Sequence, residues 1–223
     1  MTYLPLHHPD QAVLVDYATG ALSTPFAVAI AVHLTFCPEC RRLVDGYEDL
    51  GGELLAELAP VACAPGALAA VLDRLDEEPR SAGRLAARPP ASLAAEWALL
   101  PAPLQRHIAT ERHPPRWERI TRGFERLRLS SNWEGVELRL LRFGPNWRSL
   151  PHAQKGTEMV VVLEGGFTDQ FGSFARGDVG IVQPDVEHRP VADSEGCLCL
   201  AVWEGALKVS GPWGWLVNRL VRV

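Results

Sequence analysis

The sequence contains no apolar run long enough to span a membrane. Its longest apolar stretch, near AVAIAV, ends at His33, well short of the ~20 residues that a transmembrane helix needs. The first residues, MTYLPLHHPDQ, also lack the basic region and apolar core of a secretory signal. We therefore expect a cytoplasmic protein with no membrane association.

Cysteine is scarce, and so is positive charge in the first part of the chain. The five cysteines are an odd number and two of them lie in CPEC, which fits a reducing compartment better than a disulfide framework. Residues 1–88 contain six arginines and twelve acidic residues, a net charge of −6, whereas residues 89–223 carry +1. Because phosphate contacts dominate nucleic-acid affinity, the acidic part is a poor candidate for direct DNA binding. The acidic part is a better candidate for binding the basic face of a protein that itself binds nucleic acid. An acidic surface that is simply solvated would have the same charge.

The first part does contain a metal-ligand pattern. The stretch HLTFCPEC places His33, Cys37 and Cys40 at His-x3-Cys-x2-Cys spacing. Because Pro38 disfavours an unbroken helix, we expect one helix to end near Cys37 and another to begin with Pro38. The imidazole and both sulfurs then converge, and the start of the second helix favours the thiolate form that zinc requires.

A closed tetrahedral zinc site needs a fourth ligand. The nearest candidates lie upstream in LHHPD: His8, or failing that His7. The alternative is a pair of buried, reduced cysteines with an incidental histidine. We favour zinc because CxxC alone is ambiguous, whereas HxxxCxxC with an additional upstream histidine is not.

Hydrophobic periodicity predicts four short helices around this motif. The first ends before Gly20, and the second, Phe26 to Phe36, is apolar nearly all round and should be central. The third runs from Pro38 to about Ala59, with a weak point at Gly51-Gly52 that predicts a kink or break, and the last runs from about Pro65 to Asp76. Four short helices bury a thin core, which a structural metal would compensate.

The period at which hydrophobic residues recur changes from about Trp117 onward. Short β-branched or alternating runs are separated by Gly- and Pro-containing turns, which is typical of an all-β sandwich or barrel. A stretch rich in Pro, Ala and Arg lies between the two halves and has the composition of a linker. We therefore predict domains at residues 1–80 and 105–223, joined by a linker at residues 81–104.

Two stretches of the second half contain side chains that can bind a metal. PHAQKGTEMVVVLEGG holds His152, Gln154 and Glu158, and GDVGIVQPDVEH ends in His188. They resemble the cupin motifs H-x-H-x3-E-x6-G and G-x5-P-x-G-x2-H, whose histidines and glutamate converge on one metal. Gln154 replaces the usual second histidine, and an amide oxygen is a poorer ligand than imidazole for late transition metals. The four residues form either a second divalent-metal site, for zinc or another ion, or a polar cluster that holds no metal.

Nearly the whole chain resembles zinc-binding anti-sigma factors of the ChrR type, in which HxxxCxxC in a helical domain is followed by a cupin. The resemblance implies an α+β multidomain fold: an N-terminal zinc-stapled four-helix domain and a C-terminal cupin β-barrel. It also implies that the helical domain binds an alternative sigma factor of the extracytoplasmic-function (ECF) class and hides its polymerase-binding surfaces. The cupin would be the sensor and would release the sigma factor on an oxidative signal, which is singlet oxygen or organic hydroperoxide in such relatives.

Cys197 and Cys199 alternate along one predicted strand and so face the same side. In a regular strand their Cα atoms would lie about 6.6 Å apart, at the upper limit of disulfide geometry, and a bond between them would be strained. The resemblance makes them a candidate redox pair. Two small apolar side chains filling a barrel wall are an equally good interpretation.

The implied activity is regulatory, so we expect no catalytic residues. The alternative is an enzyme, a cupin dioxygenase with a two-histidine, one-carboxylate metal site and an appended helical domain. HxxxCxxC argues against the enzyme, because a helical zinc module adds nothing to oxygenase chemistry. The final stretch, WGWLVNRLVRV, could close the barrel or mediate a homodimer through the cupin domain.

Overall fold

A computed structural model describes residues 4–75, 97–111, 114–129, 133 and 135–210. Most of the predicted linker and the whole stretch WGWLVNRLVRV lie outside the described residues, so the division into domains and the homodimer contact stay predictions. Among the helices of the described residues, none is both long enough and apolar enough to cross a membrane.

The described residues contain five helices: α1 (Gln11–Ala18), α2 (Thr24–Phe36), α3 (Pro38–Ala56), α4 (Ala67–Leu75) and α5 (Ala102–Ala109). Pro25 and Pro38 lie in the first turns of α2 and α3, where the missing amide donor costs nothing and the fixed φ suits a helix. The first four helices are those that the periodicity predicts, with bounds shifted by a few residues.

A single residue joins α2 to α3. Cys37 is extended, with φ −107° and ψ 103°, so it ends one helix and precedes the next. Its sulfur accepts a hydrogen bond from the backbone amide of Cys40 at 3.3 Å, which satisfies one of the donors that a helix start leaves free. The predicted two-helix arrangement around Pro38 is confirmed.

The sequence predicts a kink or break at Gly51-Gly52, but α3 continues without a break to Ala56. Each glycine costs ~1 kcal/mol relative to alanine, and the flanking leucines and glutamates are strong helix formers that offset this cost. No neighbouring atom lies within 4 Å of the Cβ position of either glycine. Nothing outside the helix therefore forces a break here.

Nine strands follow α5 in the described residues: β1 (Trp117–Thr121), β2 (Phe124–Arg128), β3 (Val136–Phe143), β4 (His152–Gln154), β5 (Glu158–Asp169), β6 (Gly172–Ala175), β7 (Val179–Val182), β8 (Val191–Glu204) and β9 (Leu207–Val209). Their pairings are antiparallel. The larger sheet has the order β1-β2-β3-β8-β5-β6, with β7 also paired to β5, and β4 pairs with β9. The alternating runs of the second half thus form an antiparallel β domain, as predicted, which we call the cupin domain after the motifs that it carries.

The helical part packs directly on one face of this sheet through α2. Buried residues of α2, such as Ile30 and Val32, share one core with Leu104 of α5 and with Val161 and Leu200 of β5 and β8. α2 contacts α1 and α3 as well as β3, β5 and β8, so its predicted central position is confirmed. The opposite face of β5 and β8 lines a second core inside the cupin domain, because successive side chains of a strand point to opposite faces.

Candidate metal centres

Four potential ligands meet at the junction of α2 and α3. The ligand atoms of His8, His33, Cys37 and Cys40 all lie within 4.8 Å of one another. Nδ1 of His8 is 3.3 Å from Sγ of Cys37 and 3.4 Å from Sγ of Cys40. In a tetrahedral site with Zn–S of ~2.3 Å and Zn–N of ~2.0 Å, nitrogen and sulfur lie about 3.5 Å apart. The cluster therefore fits a closed zinc site with two cysteines and two histidines.

The local fold explains why three of these side chains converge. His33 lies on the last turn of α2, while Cys37 and Cys40 bracket the first turn of α3. These three residues are at most 1% exposed, whereas His8 is exposed. The helix junction thus supplies three buried potential ligands, and the segment before α1 adds a fourth from the solvent side.

The buried imidazole of His33 is oriented for metal binding. Its Nδ1 donates a hydrogen bond to the carbonyl oxygen of Gly177 at 2.7 Å, which leaves Nε2 as the lone-pair nitrogen. This Nε2 is buried and has no hydrogen-bond partner among the described residues. Because an unpaired buried polar atom is costly, a metal ion at the centre of the cluster is the natural partner for it.

The metal-free cluster favours the protonated form of the Cys40 thiol, against the expectation that the helix start favours a thiolate there. Burial raises the pKa of Cys40 to about 12, with further contributions from the hydrogen bond and charge of Cys37. Burial also lowers the pKa of His33, so this imidazole is in the neutral, metal-binding form at neutral pH. Cys40 must therefore lose a proton when a metal binds, and metal binding is coupled to proton release.

The neighbouring His7 has a different environment. Its Nδ1 lies 3.1 Å from Oδ2 of Asp178, and its ring packs on Phe174 with centroids 4.4 Å apart. Of the two histidines in LHHPD, the structure places His8 at the cluster. The contact between His7 and Asp178 had no signal in the sequence beyond the Gly-Asp pair that opens the second cupin motif.

A second set of potential ligands lies inside the cupin domain. The ligand atoms of His152, Glu158 and His188 lie within 4.8 Å of one another. His152 and His188 exchange backbone hydrogen bonds of 3.1 and 2.9 Å, which brings their imidazole centroids to 4.4 Å. The structure thus assembles the two-histidine, one-carboxylate set that the motifs predict.

Three buried polar atoms in and beside this set make no hydrogen bond within the described residues. Gln154 is 3% exposed, shares a face of β4 with His152, and its Oε1 has no hydrogen-bond partner among the described residues. Nε2 of His188 lies 3.0 Å from Oε2 of Glu158, yet neither atom makes a well-aligned hydrogen bond to any residue that the structure describes. Buried polar atoms are rarely left unpaired, so this arrangement fits a cation bound between them.

Asp169, which the motifs did not identify, contacts the other side of His188. Its Oδ2 lies 3.4 Å from Nδ1 of that imidazole. Burial acts to lower the pKa of His188, but the carboxylates of Asp169 and Glu158 outweigh it and raise the pKa to about 9. The metal-free site therefore holds the imidazolium of His188 between two carboxylates. A divalent cation that binds to this imidazole has to displace one of its protons. Both interpretations of this site, metal or polar cluster, are electrostatically self-consistent.

The two cysteines of β8 line the same interior. Cys197 and Cys199 are free and only 4% and 3% exposed, and they share the inner core with Val162 of β5. The hydrogen bond with Cys197 and burial raise the pKa of Cys199, so its thiol is protonated and weakly nucleophilic at neutral pH. Their predicted location on one side of a strand is confirmed, and their redox role stays a prediction.

Known proteins resemble this chain over both its helical and its sheet portions. Residues 105–207 match the family model of the ChrR cupin-like domain. The chain is 34% identical to anti-sigma-E factor ChrR of Cereibacter sphaeroides over 97% of its own length and 98% of that protein. A crystal structure of Rhodobacter sphaeroides SigE in complex with the anti-sigma ChrR matches with a TM-score of 0.72 and 33% identity, covering 89% of this chain and 98% of that one.

Proposed function

Because this chain belongs to the family of ChrR-type anti-sigma factors, we propose that it binds an ECF-class sigma factor and withholds it from RNA polymerase. Zinc held by His8, His33, Cys37 and Cys40 is required for the binding. An oxidative signal, singlet oxygen or an organic hydroperoxide, acts on the cupin domain and releases the sigma factor. In this proposal the protein is a cytoplasmic regulator and not an enzyme.

The main support for a protein partner is an exposed apolar surface on the second half of α3, on α4 and between them. Nine aliphatic side chains on it are 50% to 89% exposed: Leu50, Leu54, Leu55, Leu58, Val61, Leu68, Val71, Leu72 and Leu75. No residue of α4 is buried. Proteins rarely expose so many large apolar side chains within one short segment of the chain unless a partner covers them. We call these nine residues the apolar face.

The charge around the apolar face suits a basic partner. Asp45, Glu48, Asp49 and Glu53 are all exposed on α3, within a segment whose net charge is −6. A sigma factor contacts DNA and therefore carries basic surfaces. Opposite charges at the rim of an apolar contact accelerate encounter and disfavour wrong partners, so the acidic rim supports a sigma factor as the occupant.

The position of the zinc cluster explains how metal and partner binding are linked. The cluster ties the segment before α1 to the end of α2 and the start of α3, and α3 carries the first part of the apolar face. Zinc binding contributes folding free energy to a small domain. Because only the correctly folded domain presents the apolar face, zinc and the sigma factor stabilise the same state and reinforce each other.

We assign sensing to the interior of the cupin domain. This interior holds the set of His152, Gln154, Glu158 and His188, which takes a second divalent metal in this proposal, together with the cysteines of β8. The sheet that encloses them contacts α2, so a rearrangement inside the cupin domain can displace α2 and with it the helical part.

An oxygenase activity is the second candidate. The ligand atoms of His152, Glu158 and His188 converge within 4.8 Å, and a two-histidine, one-carboxylate set suits iron in oxygenases. Metal analysis separates the two functions. Zinc in the purified protein supports the regulator, whereas stoichiometric iron with substrate-dependent oxygen consumption supports the enzyme.

Co-purification tests the proposal directly. The full-length protein is co-expressed with each ECF sigma factor of its own organism, isolated without chelator, and analysed for bound protein and zinc in the same sample. We expect a one-to-one complex with one such sigma factor, and loss of both the N-terminal zinc and the sigma factor in a Cys37→Ser, Cys40→Ser variant. Sigma binding that survives in the variant without the N-terminal zinc refutes the zinc requirement, and the absence of any complex refutes the proposed function.

A further inference from the structure

One turn of the cupin domain contacts both sides of the N-terminal metal cluster. This turn, residues 176–178, joins β6 to β7. Its Gly177 and Asp178 are buried and contact the segment that carries His8 and the helix that carries His33. Two of the four proposed zinc ligands therefore depend on a region more than a hundred residues away in sequence.

Asp178 anchors the segment before α1. Its side chain is 0% exposed, and Oδ1 accepts hydrogen bonds from the backbone amides of Leu6 at 2.7 Å and His7 at 3.1 Å. Oδ2 accepts from the amide of Ala175 at 2.9 Å and lies 3.1 Å from Nδ1 of His7. One buried carboxylate thus receives four donors, three of them from the two residues that precede His8.

Further contacts fix the direction of this segment. The amide of Val179 donates to the carbonyl oxygen of His7 at 3.1 Å, and the ring of His7 packs on Phe174. In an extended chain, successive side chains point to opposite sides. With His7 held against the cupin domain, His8 is directed to the sulfurs of Cys37 and Cys40, 3.3 and 3.4 Å away.

Gly177 supports the second histidine. Its carbonyl oxygen accepts the Nδ1 hydrogen of His33 at 2.7 Å, which orients the ring with Nε2 toward the cluster. Its φ is +92°, and a Cβ atom there would lie 2.8 Å from Cγ of Pro5 and 2.9 Å from Cβ of Phe36. Only glycine lets the turn approach both the segment before α1 and the end of α2 this closely.

The same turn is tied to the interior wall of the cupin domain. The amide of Gly177 donates to the carbonyl of Val162 at 2.8 Å, and the amide of Val162 donates to the carbonyl of Asp178 at 3.1 Å. Val162 lies on β5, the strand that begins with Glu158, and pairs with Cys199 on β8. The turn is therefore bonded to a strand of the proposed sensing interior and, on its other side, to two proposed zinc ligands.

We propose that Asp178 and Gly177 are positioning residues of the N-terminal zinc site, so that the cupin domain sets how tightly the helical domain holds its zinc. The inference rests on the proposed function, in that the cluster binds zinc. Partners that orient metal ligands typically contribute 10- to 100-fold to metal affinity. Because coupling between two sites is reciprocal, zinc binding in turn stabilises the contact between turn and segment.

Asp178→Asn is the central test, because it keeps the side chain's size but turns one acceptor oxygen into a donor. Whichever way the amide faces, its NH₂ group meets a backbone amide that needs an acceptor. The matched control is Asp185→Asn in the same domain, an aspartate that pairs with Lys155 at the surface. His7→Phe keeps a ring against Phe174 and removes only the side-chain contact with Asp178, so it tests the segment without altering the cupin core.

The measurement is a cobalt titration of the full-length protein, competed with zinc. It reads the thiolate-to-cobalt charge-transfer band, which the set of His152, Glu158 and His188 does not produce. We expect zinc affinity to fall about 10- to 100-fold in Asp178→Asn, to fall less in His7→Phe, and to stay unchanged in Asp185→Asn. Release of zinc to a chromophoric chelator should accelerate in the same order.

The outcomes separate this inference from the proposed function. No thiolate band in the wild-type protein contradicts the zinc site itself, and with it the proposed function. A normal band with wild-type zinc affinity in folded Asp178→Asn and His7→Phe overturns only the inference. If Asp178→Asn does not fold, as judged by circular dichroism, the affinity and release rate of His7→Phe decide alone.

Discussion

At the scale of single residues, the two neighbouring histidines of LHHPD point in opposite directions. His7 contacts a buried carboxylate of the cupin domain, whereas His8 contacts the two sulfurs at the helix junction. The peptide between them is thus held at both ends. In the proposed zinc site, replacing either histidine should affect the same site through different atoms, since His8 would be a ligand and His7 would fix where that ligand lies.

Proton release from Cys40 makes zinc affinity depend on pH. The pKa of this thiol is raised to about 12 in the metal-free cluster, so it is protonated throughout the neutral range and must lose a proton to bind zinc. Zinc affinity should therefore fall at least about tenfold for each unit by which the pH is lowered. Competition with a chelator of known pH dependence, between pH 8 and pH 6, measures this. Cys199→Ser should show the same slope, and an affinity that does not change with pH contradicts the prediction.

The imidazolium of His188 makes the stability of the metal-free protein depend on pH in the opposite sense. Its pKa rises from the ordinary 6.5 to about 9 on folding, so its stabilising contribution is complete below pH 6.5 and is lost as the pH rises through 9. The loss should approach about 3 kcal/mol. Urea unfolding of chelator-treated protein at pH 6.5 and pH 9 measures it. A His188→Gln variant should lose less stability over this range, and equal losses in the two proteins would rule out His188 as the cause.

The candidate sites were predictable from sequence to the extent that their geometry is local. Spacing alone brings His33, Cys37 and Cys40 together, because a helix end and a helix start fix their relative positions. The cupin motifs similarly identify His152 and His188 with Glu158. The roles of Asp169 and Asp178 were not predictable, because each depends on a contact between segments far apart in the chain.

At the scale of elements, α3 divides into a covered and an exposed half. Val44 is buried and Leu43 and Tyr47 are packed against the core, whereas the apolar face begins at Leu50 and continues onto α4. The periodicity of the sequence predicts an apolar side for both helices correctly. It does not say what covers that side, since a helix core and a protein interface demand the same pattern.

Charged substitutions on the apolar face should abolish sigma binding without unfolding the protein. Leu54 and Leu72 are 57% and 50% exposed, so Leu54→Glu and Leu72→Glu place charge where it is solvated in the free protein but buried in the proposed complex. We expect each to weaken binding by at least about 2 kcal/mol, with thermal stability and zinc content unchanged. Leu99→Glu, at a leucine that is 79% exposed near α5, is the control. Titration calorimetry measures affinity, and wild-type binding by both variants would exclude the apolar face as the interface.

At the scale of the whole molecule, the cupin domain serves the helical part as a packing surface as well as a proposed sensor. α2 contacts α1, α3 and α5 as well as β3, β5 and β8. The change of hydrophobic period along the chain predicts a helical part followed by a β domain, and the antiparallel sheet confirms the β domain. Their direct contact was not predictable, because α2 is apolar all round and would look the same in the centre of an isolated bundle.

Removing the cupin domain should separate binding from response. A chain ending at residue 90 retains the four cluster residues and the apolar face, so with saturating zinc it should still bind and repress the sigma factor. It should no longer respond to oxidant. A sigma-dependent reporter with and without organic hydroperoxide measures both properties. Induction by oxidant in the truncated protein would place the sensor in the helical part.

The hydrogen bonds between Asp178 and His7 span 171 positions of the chain, which bears on the order of events during synthesis. At ~5–20 residues per second, the ribosome delivers the aspartate roughly ten to thirty seconds after the histidine. Throughout that interval the nascent helices have their cysteines but lack the anchor that directs His8. If the proposed zinc site exists, it is therefore complete only after residue 178 has been synthesised, and a sigma factor made alongside the proposed regulator has this time to reach polymerase first.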